Sequence, residues 1–377
     1  MFLQNSSYKS GGPILVIIGF GMGVWIGGLI TYKAFELTSR RGYNLSIITP
    51  GINKPEIFHA LRILAPNFSE TILVGYPPFV KDVIDDAESR GINFRKINLR
   101  ILNAAESYTE KFRDYLVRKA RIKNTYLDVL NIYGTADLGA MAFETPITIC
   151  INRLLLKTPG AFNNVFSQIS KIPTVAQYNP LFASFEEKDG EILLTGDNSI
   201  PLVRYLVGDN GGVLSFLELN DRLRQSRLEL PSELKKTNLN YFSNQLPIVF
   251  VYERADLSIK LYGAIIYPEH IREALQGVIF EPFLTGKFTA LTKYNKRQDQ
   301  FMEINIELKP NIKSTKSLQK LCRDAIMNNL LEKNAEYRNN YSSIPSEVTP
   351  RIVFWPYEHN LYFKPGIKQK WVKVTTA

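Results

Sequence analysis

A chain of 377 residues is too long for one small core and suits one large and one modest domain. Its 45% hydrophobic and 22% charged content is ordinary for a globular protein, with 12% aromatic residues to fill a core and line flat pockets. The formal charge of +10 is spread along the chain, with no basic arm or recognition motif. That argues against a nucleic-acid partner, while the same positive field suits a small polyanionic ligand. Cys150 and Cys322 are the only cysteines, far apart in apolar settings. This argues against a disulfide framework or a zinc site and points to a reducing, cytoplasmic home. His59, His270 and His359 are scattered, with no spacing that forms a metal cluster.

In chain order, the first feature is an uncharged run from Pro13 to Tyr32, long enough to cross a bilayer. Its glycines, at 19, 21, 23, 27 and 28, argue instead for turns and close backbone approaches, and Ile14 to Ile18 reads as a buried strand. No small-residue cleavage site follows, which argues against a signal peptide. Strands are predicted at Tyr43–Thr49, Thr71–Val74, Leu99–Asn103 and Leu127–Ile132. Between them, Pro55–Leu64, Phe79–Arg90 and residues 109–122 have helical periodicity. Strands alternating with helices imply a parallel sheet covered on both faces. From about residue 184 the pattern becomes β-rich, with turn signals at Asp189-Gly190 and Gly211-Gly212, and a polar stretch follows over 218–245. A strand at Ile248–Tyr252 closes the first domain, placed at 1–252. The second domain, 253–377, reads as a small ferredoxin-like α+β unit. It has β segments at 257–267, 288–294 and 301–308, and helices at Pro268–Leu275 and 316–332.

Three segments carry chemistry. The first is Ala104-Ala105-Glu106, followed after a helix by Asn131-Ile132-Tyr133-Gly134-Thr135-Ala136-Asp137. Small residues let the backbone lie flat against a planar ligand, an aromatic ring stacks on it, and a carboxylate holds a hard cation. The second is Gly190-Glu191-Ile192-Leu193-Leu194-Thr195, then Pro201-Leu202-Val203-Arg204-Tyr205-Leu206-Val207-Gly208-Asp209. The third is Glu253-Arg254-Ala255-Asp256, with Gly263 nine residues after Arg254 and then Pro268.

In this order and spacing the segments resemble the core motifs of the adenylate-forming (AMP-binding) superfamily, in its phenylacetate–CoA ligase-like branch. The resemblance covers most of the chain. It implies nucleotide binding by Ala104, Ala105, Glu106, Tyr133, Gly134, Thr135, Asp209 and Arg254, with Tyr133 on adenine and Asp209 on ribose. Asp137 would hold Mg²⁺ and serve catalysis. It stands where the family has Glu and is one methylene shorter, and Ala136 stands where a hydroxyl is usual. Asp256 would be the hinge of the small domain, although Glu253 replaces the usual Gly. The catalytic lysine falls at Lys368, with Lys370 as the alternative register. Gly21 to Gly28 and Gly75 to Phe79 look like acyl-pocket strands and turns, with Trp25 and Tyr76 as lining residues; as plain core aromatics they read equally well.

The resemblance further implies ATP-dependent activation of a carboxylic acid to an acyl-adenylate, then transfer to a thiol, CoA or a carrier thiol. Its cofactors would be ATP, Mg²⁺ and CoA, with a homodimer left open. The family's Ser/Thr/Gly-rich phosphate loop should precede the Pro13 strand, where twelve residues stand. Asn5 to Gly12 has the right residue types in the wrong order, so the expectation is a chain without that loop. The rival expectation is therefore a nucleotide- or acyl-binding protein without turnover. A second rival is a membrane protein anchored by residues 13–32.

Overall fold

The computed structural model describes residues 2–8, 11–23, 26–158, 160–166, 173–197, 200–242, 244–254, 258–275 and 277–363. The chain divides into two compact units, the larger of residues 1–22 and 26–255 and the smaller of residues 23–25 and 256–377.

The large unit opens with β1 (Ile14–Gly19), β2 (Leu45–Ile48), β3 (Glu70–Gly75), β4 (Leu99–Ala104) and β5 (Val129–Thr135). They lie in the order β2-β1-β3-β4-β5, and every neighbouring pair is parallel. Both β1 and β3 are buried at all six positions, as parallel strands covered on two faces must be. The uncharged run from Pro13 divides into β1 and the start of a helix, Ile26–Ser39, with Gly23 in the left-handed region between them (φ 90°). Among the described residues no helix is long and apolar enough to cross a membrane. The helix expected from Pro55 begins at Lys54, where Asn53 accepts from the backbone N–H of Glu56. It runs to His59 and continues through a π turn, Ala60–Leu64.

The same sheet continues with β6 (Gly139–Phe143), β7 (Thr174–Tyr178), β8 (Ala183–Lys188), β9 (Glu191–Gly196), β10 (Leu202–Leu214) and β11 (Ile248–Arg254). These are antiparallel and follow β5 in the order β6-β7-β11-β10-β9-β8. This half of the sheet is not flat. Four steps separate β5 from β10, roughly 19 Å at strand spacing. Yet the Tyr133 hydroxyl on β5 donates to Asp209 Oδ2 on β10 at 2.6 Å. The turn after β5 meets β9 as well, since a Cβ on Gly196 would fall 2.7 Å from Leu138 Cδ2. The antiparallel half therefore curls back toward the parallel half, helped by bulges at Tyr133/Gly134 and Asn210/Gly211.

Two expectations are corrected here. Asp189-Gly190 does form the β8–β9 hairpin turn, both residues at positive φ. Gly211-Gly212, however, lies inside β10 and makes no turn. These glycines are small because β11 crosses there: a Cβ on Gly211 would stand 2.1 Å from the Phe250 carbonyl oxygen. The polar stretch 218–245 holds two helices, Phe216–Gln225 and Leu230–Lys236. Leu219, Leu223, Leu230 and Leu234 bury one stripe of each in the core they share with the helix Pro146–Leu156. Their charged outer faces hid that spacing.

The amino-terminal ends of the parallel strands enclose a charge cluster. Arg100 is fully buried and donates to Asp128 Oδ1 at 3.1 Å, Glu70 Oε2 at 3.4 Å and the Phe2 carbonyl at 2.7 Å. Ser7 donates to Asp128 through its N–H (3.3 Å) and its hydroxyl, and the Tyr8 hydroxyl reaches the Leu99 carbonyl at 3.3 Å. Without these donors and acceptors the ions would be buried unpaired.

The small unit has a hairpin, β12 (Ile259–Leu261) with β13 (Ala264–Ile266), and a three-stranded sheet. In that sheet β14 (Leu284–Tyr294) pairs antiparallel with β15 (Gln300–Leu308), which pairs parallel with β16 (Arg351–Trp355). The parallel step needs a crossover, provided by the helices Lys316–Lys333 and Ala335–Ser343. Cys322, Ile326 and Leu330 form one buried stripe of the long helix, and Phe288, Ile304 and Ile306 are buried on the strands. The fold class is thus α/β for the large unit, with a separate small α+β unit.

Candidate functional site

In sheets of this kind, ligands bind at the carboxyl ends of the parallel strands. β4 ends there at Ala104, and the chain turns through Ala105, a non-glycine residue at φ 72°. Glu106 follows, 6% exposed, and its carbonyl accepts from Asn131 Nδ2 at 3.0 Å. Asn131 lies on β5, two residues before Tyr133, so one amide ties the end of β4 to the end of β5. Tyr133, Gly134 and Thr135 finish β5. Gly134 is held against the chain returning in β6, where a Cβ would meet the Gly139 carbonyl oxygen at 2.4 Å. Thr135 Oγ1 accepts from the Leu138 N–H at 3.3 Å and fixes the turn that carries the exposed Asp137.

The curl of the sheet brings Asp209 to this place. Its carboxylate is 8% exposed and accepts the Tyr133 hydroxyl at 2.6 Å, a short charge-assisted bond that fixes the ring at its tip. The ring lies 6.1 Å from that of Phe185 on β8, which packs edge-on against Tyr178 at 4.7 Å. Asp209 stands opposite Arg254 in the β10–β11 register, so the backbone of both motif ends meets at one rung.

A buried polar cluster supports the turns from behind. Arg113, on the helix Glu110–Lys119, donates to Glu144 Oε1 at 2.8 Å, to Glu110 at 3.1 Å, to the Tyr108 hydroxyl at 3.1 Å and to the Val129 carbonyl. The Glu144 N–H donates to the Asn131 carbonyl at 2.9 Å, which links this cluster to the amide that joins β4 and β5. Burial raises the Glu144 carboxyl above its ordinary range, with Arg113 opposing the shift.

The structure thus gathers Ala104, Ala105, Glu106, Tyr133, Gly134, Thr135, Asp137 and Asp209 on one edge of the large unit. Tyr76 follows β3 on that edge but is 2% exposed and packed edge-on against Phe20 at 4.8 Å, a core position. Trp25, Asp256, Lys368 and Lys370 lie outside the described residues, and of Arg254 only the backbone is described. Among the described residues no group of three or more His, Cys, Asp or Glu side chains could hold a metal ion. The roles of Asn131 and Phe185 were missed in the sequence. Asn131 opens the Tyr133 motif, which was a usable signal; Phe185 lies in a strand with no motif, and only the curl brings it near.

No family model matches the sequence, and no curated protein matches it. Solved structures do. A 2-hydroxyisobutyryl-CoA ligase, in complex with 2-HIB-AMP and CoA, aligns with a TM-score of 0.54 and 12% identity over 99% of this chain and 67% of that one. The amide bond synthetase McbA from Marinactinospora thermotolerans aligns with a TM-score of 0.52 and 10% identity over 97% of this chain and 62% of that one. The chain therefore spans about two thirds of the length of these structures. At such identities the likeness is one of fold: the chain folds as this CoA ligase and this amide bond synthetase do.

Proposed function

We propose that the chain activates a carboxylic acid with ATP to an acyl-adenylate, releasing pyrophosphate, and passes the acyl group to a thiol, CoA foremost. The observation that carries this reading is the Tyr133–Asp209 contact beside the Ala104–Glu106 turn. It places a flat ring, a carboxylate and a close-packed backbone edge together, which is what adenine and ribose need. Asp209 still fits ribose with Tyr133 bound, because an ionised carboxylate has about four lone-pair sites. Asp137 fits magnesium as a single carboxylate on an exposed turn, since that ion completes its shell with water and phosphate oxygens. When bound, the ion would neutralise phosphate charge. Lys368 is assigned the charge that develops between the carboxylate and the α-phosphate, Asp256 the hinge, and Trp25 the acyl pocket, while Tyr76 keeps the alternative role of a core aromatic.

The test is pyrophosphate release from Mg-ATP with a panel of carboxylic acids, followed by mass analysis of the CoA thioester. Lys368→Ala should lower release by at least about a hundredfold while Lys370→Ala retains it; the reverse would move the assignment by two residues.

One observation favours a second reading, a nucleotide- or acyl-binding protein without turnover. Ser7, in the segment with the composition of a phosphate loop, gives both its N–H and its hydroxyl to Asp128. AMP binding with no pyrophosphate release for any acid would establish that reading.

A further inference from the structure

At the opposite end of the parallel strands, the large unit has a cleft of about 680 Å³ that the proposed reaction does not use. It lies where the helix Pro77–Ala87 and the helix Glu110–Lys119 end, each having run back from the carboxyl edge of the sheet. Arg95, Arg118, Lys119 and Arg121 line it, together with Asp85 and Glu88. Asp85 is already neutralised, because it accepts from the fully buried Lys81 and from the Tyr115 hydroxyl at 2.5 Å. Among the described residues none of the four lining cations is in an ion pair. Four solvent-exposed basic residues therefore border one cleft, with Arg118 also over the Tyr115 ring at 5.5 Å, and their positive field suits an anion.

Arg121 enters the lining from a helix end. The Ala120 N–H bonds the Leu116 carbonyl at 2.9 Å and the Ile122 N–H bonds the Val117 carbonyl at 3.0 Å. Arg121 is thus the left-handed residue that ends the helix, at φ 56°, a place where glycine is favoured. Arg227 ends the helix Phe216–Gln225 in the same way at φ 60°; Arg121 differs in that it borders the cleft. Capping of the helix dipole would be served as well by the basic residues of the last turn, Arg118 and Lys119, without strain at Arg121.

We propose that this cleft binds a small soluble anion bearing phosphate groups, at a site separate from the Tyr133–Asp209 edge. Three guanidinium groups offer planar forks that match phosphate oxygens in pairs, and a recess of this size takes a compact ligand.

The test is isothermal titration with tripolyphosphate at one low ionic strength, alone and with saturating AMP. Saturable binding should appear, unchanged by AMP. It should weaken by at least about tenfold in an Arg118→Gln/Arg121→Gly variant, which removes two charge-assisted contacts. Arg121→Gly alone should weaken binding while its Tm equals or exceeds that of the wild type, a pattern that purely structural capping does not produce. No saturable binding, competition by AMP, or equal affinity in the double variant would overturn the proposal. The heat of tripolyphosphate binding is read directly, so a failure of AMP to bind counts against the nucleotide reading and leaves this result standing.

Discussion

Asp209 sets the strength of the proposed nucleotide site. On the proposed reading, Asp209→Ala would remove charge-assisted hydrogen bonds to both ribose hydroxyls, each of about 1.5–3 kcal/mol. AMP affinity measured by isothermal titration should fall by about a hundredfold or more. Tyr133→Phe keeps the ring and removes only the bond that holds its tip to Asp209, so its loss should stay within about tenfold. Unchanged affinity in Asp209→Ala would remove the residue from the site. Ala105 makes a separate prediction about strain. An L-residue in the left-handed region costs about 1–2 kcal/mol, while glycine adds roughly 0.5–1 kcal/mol of unfolded-state entropy. Ala105→Gly should therefore stabilise the fold by about 0.5–1 kcal/mol in urea titrations. A lower midpoint would show that the turn needs the methyl group.

Elements were legible in the sequence to the degree that burial left a pattern. The β-branched run of β1 announced a strand covered on both faces, and Pro55 and the Asp189-Gly190 turn each marked a boundary. The helices at Phe216–Gln225 and Leu230–Lys236 were not read because their solvent faces are dense in charge, although paired leucines at four-residue spacing were there. Gly211-Gly212 misled for a physical reason: glycine serves both turns and close crossings, and local sequence does not separate the two. The crossing can be tested. Gly211→Ala sets a methyl group against the Phe250 carbonyl, which is backbone and yields little. It should cost about 1–3 kcal/mol in urea-induced unfolding, whereas a turn glycine at ordinary φ would cost far less.

At the scale of the whole molecule, the proposed site was legible as residues and illegible as an arrangement. Tyr133 and Asp209 were each marked by their motifs, but their hydrogen bond joins residues 76 apart and depends on the curl of the sheet, which no local pattern encodes. Cys150 and Cys322 report on the integrity of the two units. Burial pushes the Cys150 thiol up to about 11 and that of Cys322 to about 12. The thiolate is the reactive form, so at neutral pH maleimide should label neither until the unit around it unfolds, as followed by mass spectrometry. Labelling of the native protein at the rate of a free thiol would contradict this burial. The same shift sets a pH dependence. An unfolded thiol loses its proton near pH 9 and the folded Cys150 only near 11, so the stability present below pH 9 should decline as pH rises through that window.

The position of β11 has a consequence for how the chain is made. It is the last strand of the large unit in sequence, yet it lies between β7 and β10 in the sheet. If the sheet forms as the chain emerges, it should stand as two fragments until Ile248–Arg254 leaves the ribosome, with β7 and β10 as unpaired edges. Roughly seventy residues separate the end of β7 from β11, a wait of about 4–14 s at ordinary elongation rates. During that interval β7 should be open to pairing with other nascent chains, joined by β10 for the stretch after residue 214. Chains arrested before residue 248 should accumulate as aggregates, and chaperone demand should end when β11 closes the gap.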